Sequence, residues 1–448
     1  MTENLFTQMD AAIADLQPTR DVGRVLGAAS GTVQIGGMSQ RTRVGDRAQI
    51  HAGQSRIKGE VVRLDAQVVH LLVEGSADGI SLGDRVVFDL QRKFAPDASW
   101  VGRVMDPDGQ PLDGRPLLPG LVPRNVRATP PAAHERRAMG PRLETGLAVF
   151  NTLLPLVQGQ RIGLFAGSGV GKSTLLADLA RGVTADVIVI ALVGERGREV
   201  RHFVQDVLGP SGMERAIVVA ATSDRAPQVR RSCAWAAMAV AEHFRDEGKQ
   251  VLLLIDSITR FCEAHREVAV AAGENANLRG YPASTGPAIA ALCERAGPGV
   301  EGAGDITAIF SVLVAGSDME EPIADMLRGV LDGHVVLDRG IAERGRFPAI
   351  DILRSVSRSL PDAATPQENK FISQARTLLG AYDRAELMIQ AGLYASGSDP
   401  NIDAAIACAP TLDEFLTIKD SRGSLAHFAK LRQAMATSGG LMKTEERG

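Results

Sequence analysis

Aromatic residues, cysteines and long apolar runs are scarce in this chain, and each scarcity excludes something. Tryptophan occurs twice and tyrosine three times in 448 residues. That is too few to furnish the stacking platforms on which single-stranded nucleic acids are bound. Lysine plus arginine (49) nearly balances aspartate plus glutamate (53), and the formal net charge is -4. The strongly basic face of a nucleic-acid binder is therefore not expected. The four cysteines, Cys233, Cys262, Cys293 and Cys408, form no C-x-x-C pair. Neither a disulfide framework nor a zinc site is expected, and a reducing cytosol suits the chain. No window reaches about 18 uncharged apolar residues, so no membrane span is expected. Met1 to Thr19 carries acids and has no apolar core of signal-peptide length. Membrane association, where it occurs, is expected to run through partners.

What is present is ordinary globular material. Hydrophobic residues make up 45% and charged residues 23%, enough apolar surface for a sizeable core. At roughly 100–200 residues per domain, the length predicts two or three domains. Residues 1–19 predict an amphipathic helix, with Leu5, Phe6, Met9, Ala12, Ile13 and Leu16 at helical spacing and Pro18 ending it. Such a helix packs on its own domain or docks on a partner. From about 22 to 95, short β-rich runs alternate with glycine turns, as in Gly31–Ile35, Gly59–Val62, Val68–Val73 and Asp84–Phe88. Strands of that length and spacing predict a small barrel. Residues 96–135 are a Pro/Gly-rich connector. From about 140 to 360, apolar strand runs alternate with helical stretches. The runs are Arg161–Phe165, Val187–Val193, Ile217–Ala221, Val251–Ile255, Ile306–Val314 and His334–Leu337. This alternation predicts a mainly parallel sheet covered by helices. Residues 366–448 read as helical.

The central motif runs from Ala166 to Thr174. It comprises Gly167, Ser168, Gly169, Val170, Gly171, Lys172, Ser173 and Thr174 after an apolar strand, and it opens a helix. That is the setting of a P-loop. Glycines let the backbone wrap closely enough for N–H groups to point at phosphate oxygens, and the helix N-terminus adds positive partial charge. Lys172 can reach the terminal phosphates. The hydroxyl of Ser173 or Thr174 can ligate Mg2+, and the register favours Ser173. Ala166 stands where the strict pattern has glycine, with Gly167 and Gly169 keeping the loop pliable.

Hydrolysis needs more than a cradle. Val251–Asp256 reads as a buried strand ending in an acid, and a carboxylate there can hold Mg2+ through its water shell. Glu195 follows Gly194 at the end of another apolar strand. It could orient and polarise an attacking water, although spacing alone allows an exposed charged loop equally well. Arg358 lies far along the chain. An arginine can stabilise the charge of a transferring phosphoryl group, but its position alone suggests a surface residue.

Together these segments resemble the hexameric ATPases related to the catalytic subunits of rotary ATP synthases. The segments are Phe165–Ser173, Gly194–Glu199, Thr222–Asp224, Leu254–Phe261 and Pro348–Ser357. Asp318–Asp325, Leu331–Leu337 and Gly397–Pro400 resemble the flagellar type III export branch of that family. The resemblance implies an α/β protein with a small N-terminal β-barrel (20–95), a central RecA-like parallel sheet with flanking helices (96–365, connector 96–135) and a C-terminal helical domain (366–448). It implies ATP as the nucleotide and Mg2+ as the metal. Lys172 would neutralise phosphate charge, and Ser173 and Asp256 (through water) would hold Mg2+. Glu195 would activate water, with Arg196 and Arg260 supporting the site. Arg358 would be a finger given to a neighbouring subunit, which requires a homohexamer.

The implied partners are a stator-like regulator at helix 1–19 and a stalk protein at residues 391–403. Export chaperone–substrate complexes and the export gate at the inner membrane complete the set, and nucleic acid is absent from it. The implied location is the cytoplasm, peripherally on that membrane. The alternatives are an injectisome ATPase or a catalytic subunit of a rotary proton-translocating synthase, whose ring alternates with a non-catalytic partner. A hexameric RNA translocase lacks its aromatic platforms here, and a non-enzymatic scaffold would predict a damaged P-loop. Two segments depart from the family pattern: Gly273–Gly280 lacks the usual paired prolines, and Tyr281–Pro287 differs from the common form. The aromatic that packs on adenine is not evident, with Phe371 and Tyr382 as candidates.

Overall fold

The computed structural model describes residues 19–29, 31–89, 94–314 and 319–436. The helix expected over 1–19 lies, apart from Thr19, outside the described residues, as does Asp318. Strands β1 (Val22–Ala29), β2 (Thr32–Gly36), β3 (Arg47–Ala52), β4 (Ser55–Leu64), β5 (Val68–Val73) and β6 (Arg85–Asp89) close into a barrel in the order β1-β2-β5-β4-β3-β6. Val25, Val33, Ile35, Ile50, Val61, Val69 and Leu71 fill it. Closure leaves no strand edge unpaired.

A nine-stranded sheet forms the second body. Its strands are β7 (Val104–Met105), β8 (Arg161–Ala166), β9 (Val187–Glu195), β10 (Ala216–Thr222) and β11 (Gln250–Asp256). After a hairpin of β12 (Ala276–Leu278) and β13 (Tyr281–Pro282) come β14 (Gly297–Pro298), β15 (Asp305–Leu313), β16 (Gly333–Leu337) and β17 (Ile350–Ser357). The order is β17-β16-β8-β15-β11-β9-β10-β7, with β14 beside β15. All pairings are parallel except β16 with β17 and β14 with β15.

Among the described residues, eight longer helices accompany the sheet. They are α1 (Lys172–Gly182), α2 (Pro227–Asp246), α3 (Ile258–Ala271), α4 (Thr285–Arg295), α5 (Pro322–Val330), α6 (Pro366–Gln390), α7 (Pro400–Leu416) and α8 (Gly423–Ala436). Two hydrophobic clusters sandwich the sheet. Along β9, Ile188, Ile190 and Leu192 join the cluster of α1 and the C-terminal helices. Val187, Val189, Ala191 and Val193 join that of α2 to α5. This is the period-two alternation of a strand buried on both faces. No helix among the described residues is long and apolar enough to cross a membrane.

Polar joints fix the parts to one another. Glu60 of β4 is buried and accepts from Arg127 Nη2 (2.6 Å) and Arg231 Nη2 (2.8 Å). Both guanidinium groups lie over the Trp235 ring, at 4.6 and 5.0 Å. Burial pulls Arg231 down to about 10. At the other end, Asn151 Nδ2 donates to Glu144 Oε2 (2.7 Å) and to His427 Nδ1 (3.0 Å), so His427 Nε2–H faces Asp420 Oδ1 at 3.0 Å. Glu144 also accepts from Ser424 Oγ at 2.7 Å. Thr365 caps the first helix of the tail and forms a reciprocal capping box with Glu368, with Pro366 at the first helical position between them.

Breaking the barrel joint leaves a charge buried without a partner. Glu60→Ala should cost about 3–5 kcal/mol, read as a lower midpoint of urea unfolding. Glu343→Ala, which removes the exposed Arg339–Glu343 pair, should leave that midpoint unchanged.

Candidate active site

The alternation of the strands decides which side chains can meet. Residues of β11 on the α1 side are Leu252 and Leu254, so the next one, Asp256, faces α1 as well. In β15, Ile309 is on that side, which puts Ser311 there too. Both stand at the carboxyl ends of neighbouring parallel strands, beside β8 and the loop that follows it. Ligands of open α/β sheets bind at that end.

The loop itself leaves β8 at Ala166, whose carbonyl accepts from Val314 N at 3.1 Å. Gly169 and Gly171 have φ of +78° and +85°, values that side chains with a Cβ rarely adopt. Val170 is buried and anchors the turn, while Ser168, Gly169, Ser173 and Thr174 are exposed. Nothing lies within 4 Å of a Cβ placed on Gly169. Lys172 begins α1, so the first N–H groups of this helix, which have no intrahelical partners, open toward the same space.

Lys172 Nζ pairs with Asp256 Oδ1, and Ser311 Oγ donates to the same oxygen at 2.6 Å. Glu195 arrives by a different device. On β9 it would share the α2 side with Val193 if the strand simply alternated. The pairing with β10 instead jumps from Ala221↔Val193 to Thr222↔Glu195, leaving Gly194 as an extra residue. Gly194 has φ of +69°. This bulge re-aims the strand end, and Glu195 joins Thr222 on the α1 side. Burial, then the Asp256 charge, push its carboxyl up to about 7, against the pull of Lys172.

Among the expected site residues, the structure thus brings together the loop 167–174, Lys172, Asp256 and Glu195. The arginines stand apart. Arg260 lays its aliphatic stem over Gly194, with its Cβ 3.5 Å from a Cβ placed there, and donates to Glu263 at 3.1 Å. Arg196 is 67% exposed and lies 3.6 Å from Glu199. Arg358 is at the opposite end of the sheet. Its Nη1 and Nη2 donate to the carbonyls of Leu331 (3.1 Å) and Arg328 (3.0 Å), and its N–H to Asp332 O at 3.0 Å. Asp332 meets Arg161, where β8 begins, so roughly 16 Å of strand separates Arg358 from its own P-loop.

Three features went unread in the sequence. The hydroxyl of Ser311 and the bulge at Gly194 are two of them. The third is Phe347, 45% exposed, whose ring would lie 3.2 Å from a Cβ on Gly171. It is the aromatic beside the phosphate loop. Phe371 and Tyr382 are instead half-buried against the core of the C-terminal helices. A single phenylalanine before a proline carried no periodic signal that could have marked it.

The donor set suits a hard cation that keeps most of its own waters. The exposed hydroxyl of Ser173 and the carboxylate of Asp256 flank the space, and no group of three potential ligands exists among the described residues. Mg2+ is held in this sparse way, with phosphates and water completing its shell.

Comparison with known proteins agrees with this geometry. Residues 146–357 match the model of the ATP synthase alpha/beta family, nucleotide-binding domain. Residues 364–437 match that of the T3SS EscN ATPase C-terminal domain. The flagellum-specific ATP synthase of Caulobacter vibrioides is 42% identical over 415 residues, covering 91% of this chain and 94% of that protein. The assembled ATPase EscN of the enteropathogenic E. coli type III secretion system superposes with a TM-score of 0.85 at 35% identity, covering 92% of this chain and all of that one. EscN in complex with its central stalk EscO gives 0.83, at the same identity and coverage. The chain belongs to the ATP synthase alpha/beta family, among the flagellum-specific ATP synthases and type III secretion ATPases.

Proposed function

We propose that this ATPase drives flagellar type III protein export as a ring of identical subunits. The observation that carries the reading is the meeting of Lys172, Asp256 and Glu195 at the carboxyl ends of adjacent strands, over a glycine-lined loop that opens a helix. The N–H groups of residues 167–174 receive the phosphates, and Lys172 neutralises them once it has left Asp256. Ser173 and Asp256, the latter through water, hold Mg2+, which supplies charge neutralisation on the transferring phosphoryl group. Glu195 takes the proton of the attacking water. Arg196 and Arg260 support the strand end that carries it. Phe347 offers its exposed ring to the adenine.

Arg358 completes the site of the neighbouring subunit. Its place at the far end of its own sheet supports a role in trans, because no side-chain rotation spans about 16 Å. In a rotary synthase, where a non-catalytic partner intervenes, this arginine would not complete a copy's own site. Identities of 42 and 43% to flagellum-specific relatives, against 40% to a type 3 secretion system ATPase of Sinorhizobium fredii, support flagellar cargo.

The partners follow from the same reading. EscN has been solved with a central stalk, and here Leu387 and Leu393 are 80% and 77% exposed where α6 passes into α7. That apolar tip suits a stalk protein. Residues 1–19 would take the stator-like regulator. The ring would sit in the cytoplasm, on the inner membrane's export gate, releasing chaperones from their substrates.

Three outcomes test this reading. Lys172→Ala should abolish ATP turnover and leave the circular dichroism spectrum unchanged; normal turnover would remove the P-loop assignment. Arg358→Ala subunits mixed with Glu195→Ala subunits should regain activity, because some interfaces then join an intact glutamate to an intact arginine. Mixed hexamers dead at every ratio would contradict the shared site. Glu195 must be ionised to take a proton, and its carboxyl is raised to about 7. Activity expressed as kcat/KM should therefore fall as pH drops through about 7; a flat profile from pH 6 to 8 would count against Glu195 as the base.

A further inference from the structure

A carboxylate out of reach of water depends on the donors that face it. Asp256 is 3% exposed, and its Oδ1 takes two donors, Lys172 Nζ and Ser311 Oγ. Their prospects differ. Lys172 sits at the first position of α1, and a bound triphosphate draws its ammonium away. Ser311 is fully buried in β15, the strand between β8 and β11, with its hydroxyl already on Asp256. Once the lysine turns, Ser311 is the remaining donor to Asp256 among the described residues.

The strand around it is otherwise apolar. Between Asp305 and Leu313 the remaining polar side chains are Thr307 and Ser311. Thr307 has a structural task at the opposite end, accepting from Gly159 N at 3.0 Å. Ser311 has Asp256 alone. A hydroxyl in a fully buried strand position is costly without a partner, and the 2.6 Å contact to an anion is of the short, charge-assisted kind.

We propose that Ser311 is a positioning residue for this ATPase. Its hydroxyl holds the Asp256 carboxylate in place while Lys172 passes from that carboxylate to the nucleotide. Asp256 then meets the metal's water shell already oriented, and the exchange of partners does not leave it bare. This rests on the nucleotide-site reading given above. It adds that the P-loop lysine and the serine of the adjoining strand are alternative and successive partners of one carboxylate.

The test is equilibrium binding of a fluorescent, slowly hydrolysed ATP analogue to the full chain, in excess Mg2+ and in EDTA. Ser311→Ala should weaken binding about tenfold in Mg2+ and at least as much in EDTA, where no metal shell faces the carboxylate that the lysine leaves. In an Asp256→Asn background, measured in EDTA, the same substitution should cost nothing further. Ser311→Thr, which keeps the hydroxyl, should restore most of the loss. Thermal unfolding of the variants reports any packing defect separately. Equal weakening by Ser311→Ala with and without Asp256→Asn would mean a packing role only and would overturn the proposal, as would unchanged binding of Ser311→Ala in Mg2+. Wild-type protein that binds the analogue in neither buffer would remove the nucleotide site itself, a different failure from that of Ser311.

Discussion

The central sheet is pressed between two hydrophobic clusters, and this leaves each strand residue only two places to go. Ile188, Ile190 and Leu192 go one way, and Val189, Ala191 and Val193 the other. The site is assembled by letting that rule run to the strand ends. Asp256 and Ser311 inherit the α1 side from Leu254 and Ile309. They therefore meet each other and the lysine that opens α1 without any special loop. Glu195 reaches the same side by the one exception, the extra residue at Gly194. Core packing thus sets the positions of the charges, and a single bulge corrects the one that packing would misplace.

Within the chain, the charges at the strand ends satisfy each other. Lys172 and Asp256 pair inside the sheet edge, and the Glu195 carboxyl is raised by burial and by the Asp256 charge. On the proposed reading, the phosphates of ATP would compete for the lysine, and binding would exchange one buried pair for another. Such an exchange is favourable only if each group keeps a donor or an opposite charge throughout. Arg358 contributes nothing to this balance within its own chain. Its guanidinium rests on two carbonyls near Asp332, behind the sheet.

Much of this was legible in the residues. The P-loop stood out because strand, glycines, Gly-Lys-Ser and helix occur in one uninterrupted order. The acid at the end of Val251–Asp256 stood out because five apolar residues precede it. Other parts were hidden for definite physical reasons. In β3 the buried positions are Ala48, Ile50 and Ala52 between Arg47, Gln49 and His51, and small alanines make a faint alternation. β17 read as a signature motif and not as a strand. It lies at the sheet edge with Leu353 and Arg354 exposed, so its outer face is free to be polar. β7 is two residues long inside a proline-rich connector. The bulge at Gly194, the hydroxyl of Ser311 and the ring of Phe347 depend on pairing register or on spatial approach. No single segment records either. The joints through Glu60 and through Asn151–His427 are hidden likewise, since their partners lie 67 to 276 residues apart.

The central claim is that a triphosphate takes Lys172 from Asp256 and that an adjacent copy supplies Arg358. The most direct measurement is a structure of the assembled protein with Mg2+ and a non-hydrolysable ATP analogue. In it, Lys172 Nζ should lie on the terminal phosphates, the Ser311–Asp256 contact should be retained, and the guanidinium of a neighbouring copy's Arg358 should come within hydrogen-bond reach of the outermost phosphate. An assembled, nucleotide-filled ring in which Lys172 still pairs with Asp256, or in which Arg358 remains on the carbonyls of Leu331 and Arg328 at every filled site, would contradict it.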